Sequence, residues 1–395
     1  MEKIKKNLAQ YLLAGIVSFF GGRTAEATTA TNTTPEQNPI TAPNNTTTNK
    51  PAFAEVSLPK NTPTNKVTAV TIDPTVALDQ GRNLYDQAKG LLCLNEGCRT
   101  NCYRCSEHKV TLGIGSNLQD FSFVLRCLNL PLIRPKEDGR REALMGDKRD
   151  QLCTQFASMT DEEIEKITML PKHAEQLSRE TYAYFYEKMA QRFAKTAPEY
   201  VSLKGKTTKT SKMLSGIDFS TLPLYLKVAI MDTAYQLGEK KFNKYHLFET
   251  ALRQGDYMKA FQELAVNQTS QTTKHFKNPG LARRGFRKDF LGFAYMISKN
   301  YPKLTDKAFV IALANVAHSK VTAKTYNGAI NQVEKDAAFK HALPFIMQQF
   351  HPNLTKEEAA AKQAELTTLW KQTQKNLKQQ KTAPQKASKQ QGTAK

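Results

Sequence analysis

Between Asn95 and Gly115 the chain reads NEGCRTNCYRCSEHKVTLGIG, and within it one kind of periodicity gives way to another. Upstream, PTVALDQGRNLYDQAKGLLCLNEG spaces its apolar residues at three and four, which predicts a helix ending near Asn95 to Gly97. Downstream, Val110, Leu112 and Ile114 alternate with smaller or polar residues, and Gly113 and Gly115 disfavour helix, which predicts a small hairpin. A helix that runs straight into a hairpin sets side chains of both around one junction. Glu96 stands at that junction.

The remainder is dominated by helical patterns. Thr160-x-x-Glu163 is a capping box ahead of EEIEKITML, with Pro171 expected to stop that helix. RETYAYFYEKMAQRFAK and LPLYLKVAIMDTAYQLG follow, the second closed by Gly238. HLFETALRQG ends at Gly255, Asp256 caps DYMKAFQELAV, and GLARRGFRKDFLGFAYMIS continues. DKAFVIALANVAHSK after Thr305 and a helix opened by the box Thr355-x-x-Glu358 complete the pattern. The expected fold class is α+β, mostly α, without an internal repeat.

The ends differ in composition. MEKIKKNLAQYLLAGIVSFFGG places Lys3, Lys5 and Lys6 before an apolar run from Tyr11 to Phe20, too short for a span of about 20 residues. With Ala25-Glu-Ala27 after it, the segment reads as a secretory signal, or as a weak uncleaved anchor because Gly15, Gly21 and Gly22 dilute it. The expected organisation is a signal or anchor over 1–27, a disordered Thr/Asn/Pro-rich linker over 28–66, a main domain over 67–298, a helical extension over 299–370 and a disordered basic tail over 371–395. Export to the periplasm or the extracellular space follows, with a transient membrane contact through the N-terminus left open.

With 57 Lys and Arg against 36 Asp and Glu, the chain carries a net charge of +21 and is drawn to polyanions. Nucleic acid is not expected, since no aromatic-basic interleaving on a strand platform is present. The six cysteines, Cys93, Cys98, Cys102, Cys105, Cys127 and Cys153, all fall in one subregion. In an oxidising compartment they can pair as disulfides, in a connectivity that sequence does not supply. Cys98, Cys102 and Cys105 have the C-x3-C-x2-C spacing of an iron–sulfur site. However, the consecutive helices are unlike a repeated βα barrel, and no second Cys/His pair follows for zinc. No metal or cofactor is expected.

Glu96, Cys105 and Thr111 are an acid, a polar group and a hydroxyl placed to converge around one hairpin. Glycoside hydrolysis needs one acid to protonate the leaving oxygen and a second group to activate or orient water across the sugar. Here a resemblance becomes specific. Glu96-Gly97, Arg99, Tyr103, Glu107 and Thr111-x-Gly-Ile-Gly are similar to the active-site segment of the phage-type lysozymes, glycoside hydrolase family 24, with the pattern Glu, eight residues, Asp or Cys, five residues, Thr. AIMDTAYQLGE (229–239) resembles the family's central helix, ALRQGDYMKAFQEL the next helix pair, and NPGLARRGFRKDF the Arg-bearing helix after it. The resemblance covers roughly 80–298. Between about 120 and 220 the chain is longer than the compact family members, and 300–395 has no counterpart.

The resemblance implies a lysozyme-like fold: a small β-hairpin lobe beside a helical lobe, here with a long insertion and a C-terminal helical extension. It implies a monomeric muramidase acting on peptidoglycan at the β-1,4 bond between N-acetylmuramic acid and N-acetylglucosamine, with inversion. Glu96 is the implied general acid, which must keep its proton near neutral pH and so asks for a partly desolvated setting. Cys105 then activates or holds water, or acts as nucleophile, although a free thiol is mostly protonated at pH 7 and a weak base. Thr111 positions that water, and Tyr235 and Gln236 line the cleft. A pairing of Cys105 with Cys98 or Cys102 would hold such an enzyme off under oxidising conditions. Alternatives are an inactive lysozyme-fold wall-binding protein and a lytic transglycosylase.

Overall fold

A computed structural model describes residues 67–105, 108–203, 206–266, 279–319 and 330–390. The expected signal or anchor and the linker lie outside the described residues. Helix α1 (Pro74–Glu96) begins where Asp73 accepts the Thr75 N–H at 2.8 Å with Pro74 in the first turn, and stops at Gly97, whose N–H reaches the Cys93 carbonyl at 2.9 Å. Strands β1 (Arg99–Arg104), β2 (Val110–Gly113) and β3 (Ser116–Asn117) then form an antiparallel sheet in sequence order.

After α2 (Ser122–Cys127), a second hairpin pairs β4 (Leu132–Pro135) with β5 (Arg141–Leu144). Thr168 bridges to both Asn101 and Ile133, joining the two small sheets at one backbone position. Between them lie α3 (Gly146–Gln155) and α4 (Asp161–Glu165). Both halves of the Thr160/Glu163 capping box form, at 3.3 and 2.7 Å. The helix nevertheless ends at Glu165, and Pro171 does not stop it: Pro171 opens α5 (Pro171–Ala194), where its missing N–H costs nothing.

α5 packs lengthwise on α1. Gly81 permits the close approach, since a Cβ there would sit 2.7 Å from the Ala183 Cα. A third hairpin, β6 (Ala197–Leu203) with β7 (Lys206–Leu214), leads to α6 (Leu224–Phe242), which Gly238 breaks at φ 72°. Helices α7 (His246–Arg253), α8 (Tyr257–Val266), α9 (Pro279–Asn300), α10 (Asp306–His318), α11 (Gln332–Phe350) and α12 (Lys356–Gln390) follow. The chain is thus mostly helical with a few small antiparallel sheets.

Apolar side chains gather in two cores. The smaller one lies under the first hairpins, around Cys102, Leu112, Leu125 and Phe156. The larger one runs through the helices from Leu84 and Tyr186 to Phe290, Phe339 and Trp370. Phe185 packs against both. The helices expected as an extension therefore share the main core, with Trp370 stacked on Phe339 at a centroid distance of 4.4 Å and its indole N–H on Asp336 at 2.7 Å. The expectation of a disordered tail from 371 is corrected: α12 continues to Gln390, Leu377 packs on the core and the buried Gln374 amide donates to the Ala314 carbonyl at 3.1 Å. Its Lys/Gln-rich outer face conceals an apolar stripe at helical spacing. Among the described residues no helix is long and apolar enough to cross a membrane.

Candidate functional site

Glu96 is the last residue of α1 and leans over the β2–β3 turn. At Gly115, whose φ of 74° suits glycine, an added Cβ would lie 3.5 Å from the Tyr235 ring and 3.6 Å from the Glu96 carboxylate. Tyr235, on α6, reaches the same turn through its hydroxyl, 3.3 Å from Ser116 Oγ. Glu96 keeps 20% of its side-chain surface open, enough for one carboxylate oxygen to meet a ligand.

The sheet carries the other two residues. Tyr103 on β1 faces Thr111 on β2, so their side chains emerge on the same side. Cys105 follows two residues after Tyr103, with its N–H on the Lys109 carbonyl at 3.0 Å, and the strand alternation returns it to that face. Burial raises the Tyr103 hydroxyl's pKa above the ordinary value, the Glu96 carboxylate adds to this, the Arg99 guanidinium offsets part of it, and Cys105 adds further. Arg99 lies over the Tyr103 ring at 4.5 Å. Tyr103 thus shares a register position with Thr111 and feels the charges of Glu96 and Cys105. Thr111 is 3% exposed and its hydroxyl donates to the Lys109 carbonyl at 3.1 Å, leaving its lone pairs free to accept.

Behind Glu96 lies a charged network that the sequence reading did not single out. Arg284 on α9 places Nη2 2.7 Å from Glu96 and 3.0 Å from Asp232, a wholly buried carboxylate on α6. Asn95 donates to the same Asp232 oxygen at 2.9 Å, and Lys288 approaches the other at 3.7 Å. Burial opposes ionisation of Asp232, but Arg284 and Lys288 outweigh it and hold its pKa below the ordinary carboxylate value. Asp232 in turn offsets the Arg284 charge, so Glu96 does not face a bare cation. Arg287 extends the network, bonding Asn95 at 2.6 Å and Glu334 on α11 at 2.9 Å. The signal for this network was present in RRGFRKDF, an unusually cationic run for a helix whose neighbours bury it.

The two cleft residues fare differently. Tyr235 joins Glu96 and the hairpin turn, and burial pushes its hydroxyl far above the ordinary tyrosine range. The Gln236 side-chain oxygen is enclosed and has no hydrogen-bond partner among the described residues.

The cysteines do not converge. Cys93 and Cys98 are disulfide-bonded, Cys102 is wholly buried in the smaller core, and Cys105, Cys127 and Cys153 are free. The expected off-switch pairing Cys105 with Cys98 or Cys102 is corrected. Gly97 turns the chain so that Cys98 folds back onto the last turn of α1, where Cys93 waits. Among the described residues no group of three or more His, Cys, Asp or Glu is placed to hold a metal ion. Chemically, the arrangement offers a carboxyl, a thiol and a hydroxyl around a partly open face, backed by a guanidinium. No protein-family model, curated protein or solved structure matches this chain.

Proposed function

We propose that the chain is a lysozyme-like muramidase that cleaves the β-1,4 bond between N-acetylmuramic acid and N-acetylglucosamine in peptidoglycan. The observation that supports this reading best is the placing of Glu96. It ends α1 beside Gly115 and Tyr235, partly open, with Cys105 and Thr111 on the adjoining hairpin face beside Tyr103. Glu96 gives its proton to the leaving glycosidic oxygen as the bond to the anomeric carbon breaks. Water, held by Cys105 and Thr111, adds at that carbon and loses its proton to solvent. The net charge of +21 favours encounter with an anionic wall polymer, an attraction that weakens with salt. The N-terminal segment is read as the route of export or a weak anchor.

The test is digestion of purified peptidoglycan by wild type, Glu96→Gln and Cys105→Asp, read as released muropeptides. Wild type releases them, Glu96→Gln loses at least about 100-fold, and Cys105→Asp keeps part of the activity. New reducing ends of ordinary hydrated mass mark hydrolysis; anhydro products mark a lytic transglycosylase instead. Binding to peptidoglycan with no release by wild type would leave only a wall-binding protein.

A further inference from the structure

An open cleft of about 460 Å³ lies away from Glu96, bordered by α1, α5, the start of α6, α9 and α11. That is within the usual range of small-ligand sites, about 300–1,000 Å³. On α1 its wall is the stripe Gln80, Asn83 and Gln87, about 13 to 24 Å along the axis from Glu96 at about 1.5 Å per residue. At about 3.6 residues per turn, Gln87 and Glu96 point to opposite sides of the helix. The cleft is therefore a second place, built partly by the α11 segment that the family resemblance does not cover.

Its lining mixes apolar faces with amide, hydroxyl and one ammonium group, and the hydrogen-bonding capacity of the polar groups is only partly used. Gln80 accepts from the Tyr186 hydroxyl at 3.2 Å, and Gln349 accepts from the Tyr225 hydroxyl at 3.2 Å, so both amide NH2 groups remain as donors. Gln87 spends its NH2 on the Asn83 carbonyl at 3.2 Å, leaving its side-chain oxygen as an acceptor. Lys227 donates one N–H to the Ser220 carbonyl at 2.8 Å, with no carboxylate of a described residue in ion-pair contact. Asp218 acts on it only as a weaker influence than burial, which lowers its proton affinity. Leu84, Pro223 and Phe345 supply apolar faces between the polar groups.

Spare amide donors and acceptors around apolar patches match the hydroxyls, acylamino group and C–H faces of a sugar, and one unpaired ammonium matches one carboxylate. We propose that this cleft binds a carboxylated, N-acylated sugar, with its carboxylate on Lys227. The specific choice of N-acetylmuramic acid rests on the wall-hydrolase reading; the carboxylated-sugar chemistry does not.

The test is calorimetric titration of full-length protein with N-acetylmuramic acid and with N-acetylglucosamine, which lacks the lactyl carboxylate. All titrations use the Glu96→Gln background, and muropeptide release is read separately on the protein with Glu96 intact. Expected is binding of N-acetylmuramic acid, at least tenfold weaker in Lys227→Met, with N-acetylglucosamine weak in both. Asn83→Trp, a substitution at an exposed helix position on the cleft's rim, is expected to weaken binding without lowering the melting temperature. Equal affinity for the two sugars, no saturable binding, or binding untouched by both variants overturns the proposal. Muropeptide release without this binding removes the second site alone, and binding without release removes the hydrolase reading alone.

Discussion

Arg284 lies 2.7 Å from Glu96 while also holding the buried Asp232 at 3.0 Å. One guanidinium thus joins the partly open carboxylate at the site to a wholly enclosed one on the central helix. Positioning of Glu96 and stability of the helical core are consequently coupled through a single side chain.

Removing that side chain takes away the nearer of the two cations at Asp232 and leaves only Lys288, 3.7 Å away. Arg284→Met is expected to cost about 3–5 kcal/mol in urea-induced unfolding, since a buried charge loses its nearer partner. Adding Asp232→Asn should recover a large part of this loss, because the poorly compensated charge disappears with it. Additive losses in the double variant would show that the two residues are not an energetic unit.

Lys288 provides a pH signature. Burial pulls its pKa from 10.5 down to about 8, against the pull of Asp232. Between these values the unfolded chain binds the proton that the folded chain has released, so this group makes stability rise with pH from about 8 to 10.5. Below pH 8 both states are protonated, so the pH dependence vanishes and the cost of burying the charge is at its full value. Lys288→Met should flatten the difference between unfolding free energies measured at pH 7.5 and 10, relative to wild type. An unchanged difference would mean that Lys288 is not desolvated.

The Cys93–Cys98 disulfide closes a tight loop around Glu96 and Gly97. Its removal in Cys93→Ser/Cys98→Ser should lower stability by about 2 kcal/mol through loop entropy. Reductant should lower muropeptide release as well, because the end of α1 loses its tether. Higher activity on reduction would reverse this assignment. Alkylation followed by mass spectrometry should label Cys105 and Cys127 without reductant and Cys93 and Cys98 only after it, while Cys102 labels slowly because it is wholly buried.

Thr111 separates a packing role from water positioning. Thr111→Val keeps the shape and removes the hydroxyl, and should lower release about tenfold or more with the melting temperature little changed. Thr111→Ser should restore most of the activity. Equal losses in both variants, accompanied by lower melting temperatures, would assign Thr111 to packing alone.

Much of the local structure was legible in the chain. The change from spacing at three and four to alternation between Asn95 and Gly115 marked the end of α1 and the hairpin. Thr160/Glu163, Thr305 and Thr355/Glu358 each cap a helix as their spacing required. Pro171 was misassigned because proline is compatible both with the end of one helix and with the first turn of the next. The 371–390 segment was misassigned because its polar face dominates composition while a few residues, Gln374 and Leu377 among them, hold it to the core.

What the sequence by itself determined is the neighbourhood of Glu96, Cys105 and Thr111, because helix and strand periodicities set side-chain directions over short distances. What only the tertiary structure decided is which distant residues meet them. Arg284 reaches Glu96, and Asp232 reaches Arg284 and Asn95, because α6 and α9 pack at the end of α1. Charge pairing depends on separation in space, and spacing along the chain carries no measure of it once several helices intervene.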